Sequence, residues 1–398
     1  MDTIRFLHCS DTHLGKIHKK MRTDEETQRN LMSLDTENQF NKIIDKAIEE
    51  RVDFVIHSGD MFDRINVKNI DIEGALKCLR RLSSEKIPFV TIAGNHDRAY
   101  TRGVVSPLNF INYIPHCTAI SQSATKSYNI KGVEVGVHGI SYIRSEADER
   151  YPEALHSLIS NNKKQYNILV SHQVINGSRT GYEISSSNEP EIPATFFPPD
   201  LNYVAMGHIH KKQTINHPSY PEMKIHYPGS PLIVDFGERN EKKSISIINI
   251  TNKEVEINEI ELSTRKFEEI AVKIDNPSST EAEEIIKSKI QSKIDDQKYL
   301  GVRLFGGLQI ALRKYVGITN YKELAKEFAG FDIYLEKDNF TWFDQTGSTI
   351  ESDGKWLHTP IDELQTAIND QEKLNKKQRE KLFDFGKEII KKQYGERV

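Results

Sequence analysis

Short apolar, β-branched runs alternate with amphipathic helical stretches along the first third of this chain. Ile4–Leu7, Phe54–Ile56 and Phe89–Ile92 read as strands. Glu37–Glu50 and Ile70–Leu82, with apolar residues at helical spacing, read as the helices beside them. From Ser127 the character shifts to short β runs: Ser127–Ile130, Val133–His138, Ile168–Val170, Tyr203–Met206, Lys224–Tyr227, Ser244–Ile250 and Val255–Glu261. A βα half followed by a β-rich half predicts an α/β fold, a two-sheet β-sandwich flanked by helices, with strand ends of both sheets meeting at one cleft.

The pattern changes near Leu262–Lys266. Phe267–Ile274 reads as a strand and Ser278–Ile294 as a helix, with Ser279 as cap and Glu281, Glu283 and Glu284 near its N-terminus. Val302–Phe305 and Phe331–Leu335 read as further strands, and Gly306-Gly307 as a turn. Ile361, Leu364 and Ile368 then recur at helical spacing, and Leu382, Phe385 and Ile389 line one side of a second helix. The expected organisation is a domain over 1–262, a small α+β domain over 263–340, a linker over 341–358 and a helical tail over 359–398.

At 398 residues the length fits two or three domains. With 37% hydrophobic and 28% charged residues, the chain has enough apolar matter for real cores and a well-solvated surface. Three cysteines, Cys9, Cys78 and Cys117, without framework spacing argue against disulfides and for a reducing, cytoplasmic setting. No signal peptide is expected, and no apolar run approaches the roughly 20 residues that span a bilayer. The net charge of −4 speaks only weakly against nucleic acid, because phosphate contacts are local.

The informative chemistry sits directly after the strand-like runs. Asp11-Thr12-His13, Gly59-Asp60, Gly94-Asn95-His96-Asp97, Ser171-His172 and Gly207-His208-Ile209-His210 each bring oxygen or imidazole donors to a strand end. Such donors suit a pair of hard or borderline divalent ions. Asp11 and His13 stand two apart, as do His208 and His210, so each pair falls on one side of an extended segment. Asp60 suits a bridge between two ions, and Gly59 lets the backbone approach closely. Asn95 is a neutral donor that leaves the ions more Lewis-acidic than an aspartate would. His57, His138 and His226, by contrast, read as buried, hydrogen-bonded imidazoles. A single such segment would be an ordinary turn; five in one order point to a metal centre.

The order Asp-x-His, Gly-Asp, Gly-Asn-His-Asp, His, Gly-His-x-His resembles the calcineurin-like metallophosphoesterase superfamily. The flanking residues His8–Gly15, His57–Asp63, Gly94–Arg98 and Gly207–Lys211 are similar to the SbcD family of double-strand-break repair nucleases, including archaeal and eukaryotic recombination nucleases. Tyr227-Pro228-Gly229-Ser230-Pro231 resembles that family's loop behind the active site. The resemblance is strong to about residue 250; beyond it rests on domain order, a capping domain and then helices that dock on an ATPase.

The resemblance implies that Asp11, His13 and His210 hold one ion, Asn95, His172 and His208 the other, and that Asp60 bridges them. It implies two Mn²⁺ per chain; the donor set also admits Fe or Zn. Some members carry His where this chain has Asp63, so a second catalytic imidazole is not implied, and Asp63 is left to bind backbone or to shape the metal loop. Two neighbouring dications would activate water for in-line attack at phosphorus. His96, which follows a ligand directly, is assigned transition-state stabilisation or protonation of the leaving oxygen.

Lys16, Lys19, Lys20 and Arg22 lie in an apparent loop after the first metal segment, and Arg98, Arg102 and Arg179 in loops beside others. These are the expected contacts to DNA, as double-strand ends and single strands, through its backbone. The basic tail, with eight Lys/Arg against four Asp/Glu over 376–398, is expected to dock through Ile361, Leu364, Ile368, Leu382, Phe385 and Ile389. The resemblance names the partner as an SbcC-type ABC ATPase with a coiled coil. It also implies a homodimer, with Ile70–Leu82 and Leu108–Ile114 as candidate helices. Two other readings stand beside the nuclease: a metallophosphoesterase acting on phosphoproteins or cyclic nucleotides, and a non-catalytic scaffold that recruits the ATPase.

Overall fold

The computed structural model describes residues 3–99, 103–179, 189–252, 254–275, 279–309, 321–343, 349–350, 364, 368 and 376–394. The chain divides into two units. The first comprises Met1–Ile270, Lys293–Gly301 and Lys322–Asp332; the second comprises Ala271–Ser292, Val302–Tyr321 and Ile333–Val398.

The first unit holds two six-stranded sheets. In chain order its main elements are β1 (Ile4–Cys9), α1 (Leu31–Glu49), β2 (Phe54–His57), α2 (Asn69–Ser84), β3 (Phe89–Ile92), β4 (Cys117–Ile120), β5 (Ser123–Ile130) and β6 (Val133–Ile140). There follow α3 (Ala147–Asn162), β7 (Tyr166–His172), β8 (Val174–Ile175), β9 (Glu191–Ile192), β10 (Tyr203–Gly207), β11 (Gln213–Asn216), β12 (Lys224–Tyr227), β13 (Ser244–Ile250) and β14 (Val255–Glu261). One sheet has the order β14-β13-β1-β2-β3-β4, the other β11-β12-β10-β7-β6-β5, and β8 pairs with β9.

Alternation along each strand divides its side chains between two cores. From β1, Phe6 enters the core between the sheets with Phe54, Ile56, Val90, Ile168, Val170 and Ala205. Leu7 and Cys9 point the other way, into the core shared with Phe40, Ile43 and Ile44 of α1 and Leu79 and Leu82 of α2. On the second sheet, Leu169, Val204 and Met206 pack against Tyr151, Leu155 and Ile159 of α3. Strands covered on both faces must be apolar throughout, which is why they are so legible in the sequence.

Parallel pairing sets the direction of the strand ends. β1, β2, β3 and β4 run parallel in the first sheet, and β6, β7, β10 and β12 in the second. Every candidate ligand lies at or just beyond the carboxyl end of one of these strands, the side on which open α/β sheets bind ligands.

The buried imidazoles have the expected partners. His57 sits 3.0 Å from the Thr12 hydroxyl, His138 2.9 Å from Thr125, and His226 2.8 Å from Thr214 and 2.9 Å from Ser246.

Two expectations are corrected. The stretch after Ser127 is not β throughout, because α3 crosses it. That helix buries Ala147, Tyr151, Leu155, Leu158 and Ile159 at helical spacing, and Pro152 within it masks the pattern. Nor is Gly306-Gly307 a turn: both glycines lie inside β16 (Asp295–Gln309). Gly306 has φ +102°, and a Cβ there would come within 2.2 Å of the Ile274 carbonyl, so glycine marks a close backbone approach within the sheet.

The second unit contains α4 (Ser279–Gln291), α6 (Lys376–Tyr394) and the outer part of a four-stranded sheet of order β15-β16-β17-β18. The strands are β15 (Lys266–Asp275), β16, β17 (Phe328–Phe343) and β18 (Thr349–Ile350), and α5 (Lys322–Ala325) precedes β17 in the first unit. Ala282, Ile286 and Ile290 of α4 are buried, as are Val272, Ile274, Val302 and Leu304. No helix among the described residues is long and apolar enough to cross a membrane.

Candidate metal centre

The seven donors named from the sequence converge. Asp11, His13 and His210 form one group with ligand atoms mutually within 4.8 Å, and Asp60, His172 and His208 form another. Asn95 joins the second group: its Oδ1 lies 3.1 Å from His172 Nε2 and 3.0 Å from His208 Nδ1. Asp60 stands between the groups, its Oδ2 3.3 Å from His172 Nε2 and 4.0 Å from His13 Nε2.

The hydrogen bonds behind these side chains decide which atoms face the cleft. His172 Nδ1 is 2.7 Å from the Ser58 carbonyl, a pure acceptor, so Nδ1 carries a proton and Nε2 is the nitrogen turned to the cleft. Nε2 faces Asn95 Oδ1 and Asp60 Oδ2, both acceptors. Likewise His210 Nδ1 is 2.7 Å from Glu238 Oε1, and its Nε2 meets His13 Nε2 at 3.0 Å. Nitrogen and oxygen donors crowded this closely in a buried cleft need protons, or cations in their place, between them. The residues present therefore fit two divalent ions.

The backbone carries the cost of this convergence. Asp11, His13, Asp60 and His208 adopt positive φ of 52°, 44°, 53° and 90°, a region L-residues rarely enter. Such conformations cost about 1–3 kcal/mol each and persist where surrounding structure over-determines them. Here Asp11 N–H donates to Gly59 O and His13 N–H to Asp60 O, stapling the β1 loop to the β2 loop. Gly59 serves the close approach expected of it: a Cβ would fall 2.4 Å from His172 Nδ1.

Protonation follows from burial and charge. Burial lowers the His172 pKa, but Asp60 and Asp11 outweigh it and bring the imidazole up to about 9. Burial also opposes ionisation of Asp60; His172, with His96 and His13, overrides it and holds Asp60 well below the usual carboxylate range. A cation entering among these groups must displace the His172 proton, so metal affinity falls as pH falls.

His96 takes a different position. Its Nδ1 lies 2.7 Å from the Asp63 carbonyl and donates to it, so Nε2 is the nitrogen turned to the cleft. That atom lies 4.0 Å from Asp60 Oδ2, and the side chain remains 39% exposed at the mouth of the cleft. His96 also groups with His13 and Asp60 within ligating range. Asp63 thus shapes the loop through its backbone, while its carboxylate pairs with Lys16 at 3.1 Å and Arg64 at 2.6 Å.

The cations expected on DNA are dispersed. Lys16 is engaged by Asp63, and Lys20 pairs with Asp332. Lys19 and Arg22 are exposed. The Arg98 guanidinium donates to the Tyr142 carbonyl. Arg179 is exposed, its backbone tied to Gln213. Arg102 lies outside the described residues. Of the tail residues, Ile368 is buried, and Leu364 lies against Gly386 within its own unit. Leu382 and Phe385 are exposed on α6, Ile389 lies on the same helix, and Ile361 is outside the described residues.

Several participants were given no role from the sequence. Asp97 accepts from the backbone N–H groups of Met61, Phe62 and Gly94, locking two metal loops together. Its place directly after Asn95-His96 was a signal to that effect. Glu238 carries no such signal, since only the fold brings it to His210. Burial pushes Glu238 up, yet the hydrogen bond from His210 and the Lys243 ammonium bring it down to about 2. Glu189, 3.5 Å from His208 Nε2 and hydrogen-bonded by Tyr142, was also unforeseen.

Comparison with known proteins places this geometry. A family model described as calcineurin-like phosphoesterase matches residues 4–212. A "DNA double-strand break repair protein Mre11" of Sulfolobus acidocaldarius is 28% identical over 337 residues, covering 83% of this chain and 82% of that protein. A protein of the same description from Sulfurisphaera tokodaii is 30% identical over 270 residues, 67% of this chain and 65% of the other. A subunit of the nuclease SbcCD from Bacillus subtilis is 29% identical over 273 residues, 62% of this chain and 66% of the other.

Proposed function

The chain belongs to the calcineurin-like phosphoesterase family, and on that premise we propose that it is a dinuclear-metal nuclease that hydrolyses DNA phosphodiesters in double-strand-break repair. The observation that carries this reading is the convergence of ligand atoms from His172, Asn95 and Asp60 on one side and Asp11, His13 and His210 on the other. The repair and nuclease descriptions of the relatives supply the substrate class.

In this reading Asp11, His13 and His210 would hold one ion, Asn95, His172 and His208 the other, and Asp60 would serve both. Two bound dications, Mn²⁺ in the proposal, would supply Lewis acidity and a water of lowered pKa. The protein's own groups do the rest. His96, its Nδ1–H held by the Asp63 carbonyl, protonates the leaving oxygen from Nε2 in its imidazolium form and is left as the neutral ring. The exposed Lys19 and Arg22, with Arg179, follow the DNA backbone without reading bases.

Two assemblies belong to the proposal. A homodimer would cover the exposed Ile70 of α2 together with Val105, Phe110 and Tyr113, the last 85% exposed. An ABC ATPase would cover Leu382 and Phe385 on the basic helix α6. Its place of action is intracellular, where chromosomal breaks occur.

The deciding experiment incubates the purified full chain with Mn²⁺ and either a duplex with 3′ ends or p-nitrophenyl phosphate. Degradation of DNA, lost in Asp60→Asn, is expected. Hydrolysis of the small ester with intact DNA would make the chain a phosphoesterase of another class, and inertness toward both would leave a scaffold.

A further inference from the structure

Behind the metal cleft lies a buried ionic chain that the proposed reaction does not itself require. Glu238 Oε1 accepts from His210 Nδ1 at 2.7 Å. Its other oxygen, Oε2, is 2.8 Å from Lys243 Nζ and 3.2 Å from the Val234 backbone nitrogen. Lys243 in turn donates to Ser230 Oγ at 2.9 Å and Glu241 Oε2 at 2.8 Å. Glu238 is 1% exposed, Lys243 3% and Ser230 0%.

Burying a carboxylate and an ammonium this deeply is expensive, and such a pair often adds nothing to stability over apolar residues of the same size. Its presence therefore calls for a reason other than stability. The four ligand imidazoles differ in what backs the nitrogen turned away from the cleft. His172 is backed by the neutral Ser58 carbonyl. His13 Nδ1 and His208 Nε2 have carboxylates only at 3.6 and 3.5 Å and make no hydrogen bond there. Among the described residues, His210 alone has a carboxylate at hydrogen-bond distance on that side. A carboxylate partner holds the ring in the Nδ1–H tautomer and raises the basicity of Nε2.

We propose that Glu238, held in place by Lys243, is a positioning residue for the ion bound by Asp11, His13 and His210, and makes that site the tighter of the two. The inference rests on the dinuclear reading above. The two ions then bind unequally: one is retained behind a charged support, and the other, held by Asn95, His172 and His208, exchanges more readily.

The test titrates Mn²⁺ alone into the metal-stripped full chain and follows free Mn²⁺ by electron paramagnetic resonance. Wild type should take up two ions in two steps; fewer than two would defeat the dinuclear reading itself, a separate failure. Glu238→Gln should weaken the tighter step by roughly 10–100-fold. That must be the step abolished in His210→Ala, with the weaker step unmoved. Equal weakening of both steps, or of neither, overturns the proposal. Should Glu238→Gln fail to fold, ¹⁵N spectra of the wild-type imidazoles in chelator decide instead. His210 must then appear as the Nδ1–H tautomer, and an Nε2–H form overturns the assignment.

Discussion

The Asp97 carboxylate accepts the backbone N–H of Phe62 at 3.0 Å, tying the loop after β3 to the loop after β2. The same carboxylate takes Met61 N–H and Gly94 N–H at 3.1 Å each. Asp60 and Asn95, one from each loop, are thereby held in fixed relation. Asp97→Asn keeps the shape but turns an acceptor oxygen into an NH₂ group facing N–H donors. Leaving buried donors unmade costs about 1–3 kcal/mol. Urea denaturation should register that loss, and Mn²⁺ affinity should fall with it; an unchanged midpoint would remove Asp97 from this role.

Gly94 faces the same junction. A Cβ there would lie 2.0 Å from Asp60 Oδ1 and 2.5 Å from the Asp60 nitrogen. Gly94→Ala must therefore push the Asp60 side chain aside. Metal analysis of the purified variant should find fewer than two ions per chain, and two tightly bound ions would show that the loops yield freely.

His96 is poised between two roles, since it faces the cleft and also groups with His13 and Asp60. In the proposed role, His96→Ala keeps both ions and loses turnover by about 10²–10⁴-fold, the usual worth of a general acid. Loss of an ion instead would make His96 a ligand.

Lys19 is exposed beside a metal loop, whereas its neighbours Lys16 and Lys20 are engaged by Asp63 and Asp332. Lys19→Glu should weaken DNA binding and reduce the salt dependence by about one phosphate contact. Hydrolysis of a small phosphodiester should be unaffected. If both activities drop together, the loop serves the metal centre rather than the DNA.

Stability should depend on pH through a buried imidazole that is not among the seven donors. Burial, and then Lys212, push His226 down to about 3, whereas an unfolded histidine titrates near 6.5. Folding thus favours the neutral ring. The stability it confers is complete above pH 6.5 and is lost as pH falls from there toward 3. Thermal melting in chelator should drop between pH 7.5 and 5, with a shallower decline in His226→Asn. Identical slopes would place the acid sensitivity elsewhere.

Much of this could be read from the chain because its local signals agree. A strand buried on both faces must be apolar along its length, so Phe54–Ile56 or Ile168–Val170 stands out against its surroundings. Donors placed directly after such runs mark the carboxyl ends of parallel strands. Helix α3 was hidden by Pro152, and the strand around Gly306 by a glycine pair that elsewhere marks a turn. The tail stripe was legible as a helix, yet periodicity alone did not separate the buried Ile368 from the exposed Phe385.

The sequence by itself determined most of the element types and the order of the seven donors, since these depend on residue type and local period. Only the tertiary structure decided which nitrogen of each imidazole faces the cleft, that Glu238 and not a backbone carbonyl stands behind His210, and that Asp97 joins two loops. The reason is physical: proton placement depends on the group at hydrogen-bond distance behind each ring. That neighbour is brought there by strand pairing and close packing between positions whose separation along the chain follows no local period.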